Sequence, residues 1–150
     1  MNKLFIFPGL LLLFAMLIIT GCSDSEGSDE DDFSWHYIGD TDEPAFLNGW
    51  QNWENGFDVC AYGIDAGGFV HLKGVSNNPS SYDGTNQIVF VLPAGYRPEA
   101  LHIYAVYSSS TDESALVYIY PNGNVTVYDT DNPGPSALVS FDGITWFSTQ

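Results

Sequence analysis

The chain has 150 residues and a formal net charge of −16, from 19 acidic and 3 basic side chains. So few cations cannot neutralise a run of phosphates, which excludes a nucleic-acid interface and disfavours charge-driven binding to anionic headgroups. Aromatic and charged residues each make up 15%, a balance that suits one domain with a packed, β-rich core.

Residues 1–21 have the layout of a signal peptide. Lys3 supplies a short positive start, Leu4 to Ile19 is apolar apart from the break at Pro8-Gly9, and small Thr20 and Gly21 follow. The apolar run is short of the about 20 residues that a membrane-spanning helix needs. The sequence Ile19-Thr20-Gly21-Cys22 resembles a bacterial lipobox. The resemblance implies cleavage before Cys22 and acylation of its sulfur and nitrogen, so that the membrane becomes a partner through a lipid anchor. Residues 22–34 then read as the lipidated cysteine and an acidic tether. The stretch SDSEGSDEDD, 23–32, has no apolar side chain to bury and predicts a disordered, self-repelling spacer. It is similar to the acidic export signal of surface lipoproteins in Bacteroidetes-type bacteria, which implies an outer-membrane, surface-exposed location. With Cys22 acylated, Cys60 has no disulfide partner and reads as a small buried apolar residue.

Residues 35–150 read as one all-β domain. DVCAYGI (58–64), the turn DAGG and FVHLKGV (69–75) predict a hairpin, followed by a polar loop over 76–86. QIVFVL (87–92) is almost continuously apolar and predicts a central strand, which Pro93 ends. LHIYAVY (101–107) restarts a strand. ALVYIY (115–120), PNGN and VTVYD (125–129) form the clearest hairpin, because Asn122-Gly123 tolerates the positive φ of a tight turn. ALVSF (137–141), Asp142-Gly143 and ITWFS (144–148) predict another. No stretch keeps a helical period. About eight strands at short spacing predict a single antiparallel β-sandwich, jelly-roll-like. Period two places Val70, Leu72 and Gly74 on one face, and Ile88, Phe90 and Leu92 on one face. It pairs Val125 and Val127 with Val117 and Ile119, leaving Tyr118, Tyr120 and Tyr128 opposite.

FLNGWQNW (46–53), GFVHLKGVSN (68–77), IVFVLPAGYRPEALHIYAV (88–106), VYIYPNGNVTV (117–127) and ALVSFDGITWF (137–147) occur in that order. Together they resemble the C-terminal tip domain of phage tail-fibre and related minor structural proteins, the Leu-Pro-Ala-Gly-Tyr-Arg-Pro corner being the most specific piece. In that family the domain sits at the distal end, often in trimers, near where host-surface glycans or proteins are bound. The resemblance implies a β-sandwich binding or structural module rather than a catalyst, with a homotrimer as one arrangement. Here a lipoprotein-like leader stands where a fibre shaft would.

Tyr118, Tyr120 and Tyr128 are the first candidate ligand-binding residues, followed by Trp50 and Trp53. Aromatic faces stack on sugar rings, which makes a glycan the favoured ligand ahead of a surface protein. Both groups have a second reading: the tyrosines as a packing or oligomer face, the tryptophans as the closed end of the core. Asp129 and Asp131 come nearest to a calcium loop, but Pro133 stands where a third ligand would be needed, so no metal or cofactor is expected. His36, His71 and His102 are isolated, and no nucleophile, zinc or phosphate-loop motif occurs. The expectation is a non-catalytic adhesion module. A self-associating structural module is the alternative, and a polysaccharide-active enzyme a second one. Arg97 is the chain's only arginine; with Pro93, Gly95, Tyr96 and Pro98 it reads as a structural corner.

Overall fold

A computed structural model describes residues 33–79, 86–109, 113–129 and 137–148. They contain no helix and eleven strands: β1 (His36–Tyr37), β2 (Gln51–Asn52), β3 (Ala61–Ile64), β4 (Phe69–Lys73), β5 (Val75–Asn78), β6 (Gln87–Val91), β7 (His102–Ser108), β8 (Glu113–Ile119), β9 (Asn124–Asp129), β10 (Ala137–Ser140) and β11 (Thr145–Phe147). The fold is all-β, as the turn spacing predicts. β1-β3-β4-β11 make a small sheet, and β2-β5-β10-β7-β8-β9-β6 a large one. Every pairing is antiparallel.

The hairpins with local turn chemistry form in the expected register. Ile64 pairs with Val70 across the Asp65–Gly68 turn, Val117 with Val127, and Ile119 with Val125. Alternation then sends Val70 and Leu72 of the small sheet, and Val117, Ile119, Val125 and Val127 of the large one, into a common core with Phe90, Leu92, Val139, Phe141 and Trp146. Each such side chain contributes about 1.5–3 kcal/mol on burial.

The structure corrects four expectations. The strand over 87–92 lies at an edge of the large sheet, not in its centre. It is apolar on both sides because its register shifts between Ile88 and Phe90, and the irregularity lets both Val89 and Phe90 bury. Ile88 and Phe90 therefore do not share a face. Residues 76–78 are strand rather than loop: Ser76, Asn77 and Asn78 are buried in β5, between β2 and β10. Finally, β10 and β11 are not a hairpin. β10 joins the large sheet and β11 the small one, so Asp142-Gly143 turns a corner between layers.

A second corner meets that one. Between β4 and β5 the chain also changes sheets, at Gly74, whose φ is +95°. A β-carbon there would lie 2.4 Å from the Val59 carbonyl oxygen, so only glycine fits. The amide of Phe141 donates to Gly74 O (2.8 Å), the amide of Leu72 to Ile144 O (2.9 Å), and the amide of Gly74 to Asp142 Oδ1 (2.8 Å). The two crossings are thus tied to each other.

Candidate functional site

The chain between β1 and β2 builds a cleft. Gly39, at φ +95°, donates to Pro44 O (2.8 Å), and Asp42 takes a positive φ of 69°, which doubles the segment back on itself. After β2, the Trp53 amide donates to Val75 O (2.9 Å), and the Asn52 side chain accepts from the Cys60 amide (2.7 Å). These two segments border an open cleft of about 550 Å³ lined by Ile38, Gly39, Asp40, Phe46 and residues 51–55. Ile38 is buried, and Phe46 packs edge-on against Phe90, giving the cleft an apolar base. Trp53 is half-buried, while Asp40, Gln51, Glu54 and Asn55 are exposed. A partly exposed indole ringed by amides and carboxylates suits a polyhydroxylated ring: it offers an apolar wall and hydrogen-bonding groups together.

The two candidate tryptophans part company. Trp53 lines the cleft, but Trp50 is only 3% exposed and belongs to the core. A turn at Asn48 and Gly49, both at positive φ, places it there, with its amide donating to Leu47 O (3.0 Å). Buried in this way, Trp50 has no face to offer a ligand, contrary to the sequence expectation.

The tyrosines lie on the outer face of the large sheet. Tyr118 pairs with Ile103 and Thr126, and Tyr128 with Leu116. Tyr118 and Tyr120 are half-buried, with rings 6.3 Å apart and 21° from parallel; Tyr128 is exposed. Their neighbours are aliphatic as much as aromatic: Ile103 is 55% exposed and Tyr107 59%. The face also reaches a smaller, more enclosed apolar groove of about 280 Å³ between Phe57, Tyr107 and Leu138. Asp129 ends β9; Asp131 and Cys22 lie outside the described residues.

Arg97 occupies a corner. Its Nε donates to Leu92 O (2.8 Å), and the Leu92 amide donates to Gly123 O (2.8 Å). Gly95 has φ +94°, and its carbonyl accepts from Ser148 Oγ (3.0 Å). Gly123, at φ +92°, lies beneath the guanidinium: a β-carbon would stand 2.7 Å from Arg97 Nε. The arginine thus pins the 93–98 corner onto the β8–β9 turn. Among the described residues no carboxylate pairs with it; Asp142 instead accepts from Gly74 and Ser140.

One network has no short sequence motif to announce it. His36 Nδ1 lies 2.7 Å from Glu43 Oε1, and Tyr96 OH lies 2.9 Å from His36 Nε2. Tyr62 OH donates to Glu43 Oε2 (2.5 Å), and its ring stacks on His36. Burial pushes the Glu43 carboxyl up, but hydrogen bonds from Tyr62 and His36 outweigh it and hold the group below the usual carboxylate range. Burial, then Glu43, raise the Tyr62 phenol, and burial raises Tyr96. Both hydroxyls are therefore kept protonated, as hydrogen-bonding struts. The four partners come from four separate segments, so only the fold brings them together. On the small sheet's outer face Lys73 Nζ sits 4.8 Å from the Trp35 ring centroid and 3.6 Å from Asp58.

The chain is therefore a two-sheet antiparallel β protein with a Trp53 cleft beside its first strands and an apolar outer face. No family model matches the sequence, and no curated protein does. Among solved structures, the fold resembles the receptor binding protein (gp15) of Listeria phage PSA, with a TM-score of 0.59 at 17% identity. The likeness covers 80% of this chain and 67% of that one. The body thus shares its two-sheet β fold with that protein.

Proposed function

We propose that the protein is a lipid-anchored, surface-exposed module that binds a glycan without cleaving it, and that the Trp53 cleft is the binding site. The observation that carries this reading is the half-buried Trp53 set among Asp40, Gln51, Glu54 and Asn55 in one open cleft. The fold likeness to a phage receptor binding protein supports a binding role. The sequence before the body supports anchoring through Cys22. Asp40 and Glu54 put two carboxylates in the cleft, but both are exposed, whereas the acid of a glycoside hydrolase is kept protonated by apolar surroundings. A glycan array tests the site: Trp53→Ala should weaken binding by at least about tenfold at an unchanged melting temperature. Equal binding by that variant sinks the proposal. Labelling with a fatty-acid probe, lost in Cys22→Ser, tests the anchor.

A second reading, self-association, is favoured by one feature. Exposed Ile103 and Tyr107 beside Tyr118 and Tyr128 make a mixed aliphatic and aromatic face, more like a protein contact than a sugar platform. Light scattering tests this reading, with a monomer unchanged by Ile103→Asp as the result that removes it.

A further inference from the structure

We infer that the cleft selects its glycan by charge, taking uncharged or amine-bearing sugars and rejecting uronate and sulfated ones. This deepens the glycan reading and rests on it. Around Trp53 the exposed polar groups are two carboxylates, Asp40 and Glu54, and two amides, Gln51 and Asn55. Neither carboxylate is in an ion pair among the described residues, so both are free to face a ligand.

Among the described residues no cation lines the cleft. Lys73 stands over Trp35 and Tyr37 and beside Asp58, on the small sheet's outer face. Arg97 is seated on Leu92 O in the corner. A uronate or sulfate group entering the cleft would meet like charges with no counter-charge, in a chain already at −16.

Hydrogen-bond valence points the same way. Carboxylates only accept, so they suit sugar hydroxyls and, better, an ammonium. An acidic substituent is also acceptor-only and could use only neutral N–H donors, the amides of Gln51, Asn52 and Asn55 and the Trp53 indole. Acceptors that a bound ligand strips of water and leaves unpaired oppose binding. Recognition of acidic polysaccharides usually calls for arginine, whose fork matches such groups, and here the chain's one arginine is spent on structure.

The test titrates the full chain, in nonionic micelles, with three soluble oligosaccharides: N-acetylglucosamine oligomers, their deacetylated amine form, and oligogalacturonate. The amine form should bind tightest, the neutral form next, and the uronate at least about tenfold more weakly than the amine form. Asp40→Asn with Glu54→Gln should narrow that spread to within about threefold. Trp53→Ala should abolish the binding, which separates the cleft from diffuse attraction to an acidic chain. Uronate bound as tightly as the amine form, or a spread unchanged in the double variant, overturns charge selection alone. No binding of any sugar, or binding indifferent to Trp53→Ala, overturns the glycan reading and the inference with it.

Discussion

At the scale of single residues, the same amino acid serves opposite ends within a few positions. Trp50 and Trp53 are three residues apart; one is in the core and the other lines a cleft. Their local sequence does not separate them, because burial depends on which distant element packs against each. For Trp53 that element is the 38–46 loop, folded back by Gly39 and Asp42. Arg97 was more legible. Flanking prolines and Gly95 mark a turn, and the structure shows the guanidinium holding Leu92 O above Gly123. Arg97→Ala should therefore lower stability by about 1–3 kcal/mol, since it removes a charge-assisted hydrogen bond and uncovers a turn. Glycan binding should stay within about twofold of the parent. A thermal melt and a titration of the same variant decide it; full stability with lost binding would make Arg97 a ligand residue.

At the scale of elements, short-range hairpins were readable and sheet changes were not. Asn122-Gly123 and Asp142-Gly143 carry the same turn signal, yet the first closes a hairpin and the second sends the chain from one sheet to the other. Composition also hid β5, whose Ser76, Asn77 and Asn78 are polar but buried between neighbouring strands. The inter-sheet corners depend on Asp142, which accepts from the Gly74 amide and from Ser140 Oγ (3.0 Å). Asp142→Ala should cost about 1–2 kcal/mol, and Asp142→Asn less, because the amide oxygen can still accept. Denaturant midpoints measure this directly. An alanine variant as stable as the parent would mean the corners hold without the carboxylate.

At the scale of the whole molecule, stability should form a dome in pH. The Glu43 carboxyl is held down in the folded state, so its contribution is present above the ordinary value of about 4.3 and is lost as pH falls through the lowered one. Tyr62, Tyr96 and Tyr104 are raised by burial. Their contribution is complete below about 10 and is lost as pH rises beyond it. Melting curves across this range should show both limbs, and Glu43→Gln should flatten the acid one. An acid limb identical in that variant would remove Glu43 from the account. The crossing at residues 137–148 has a consequence for how the fold is made. These residues supply β10, which joins β5 to β7 inside the large sheet, and β11, which pairs with β4 at the edge of the small one. Until they arrive, the large sheet is in two pieces and the small sheet lacks an edge. A chain emerging N-terminus first can pair β6 through β9 with one another, and β1, β3 and β4, but it can complete neither sheet before those residues are present. Whatever hairpins close earlier, both sheets are completed only by β10 and β11.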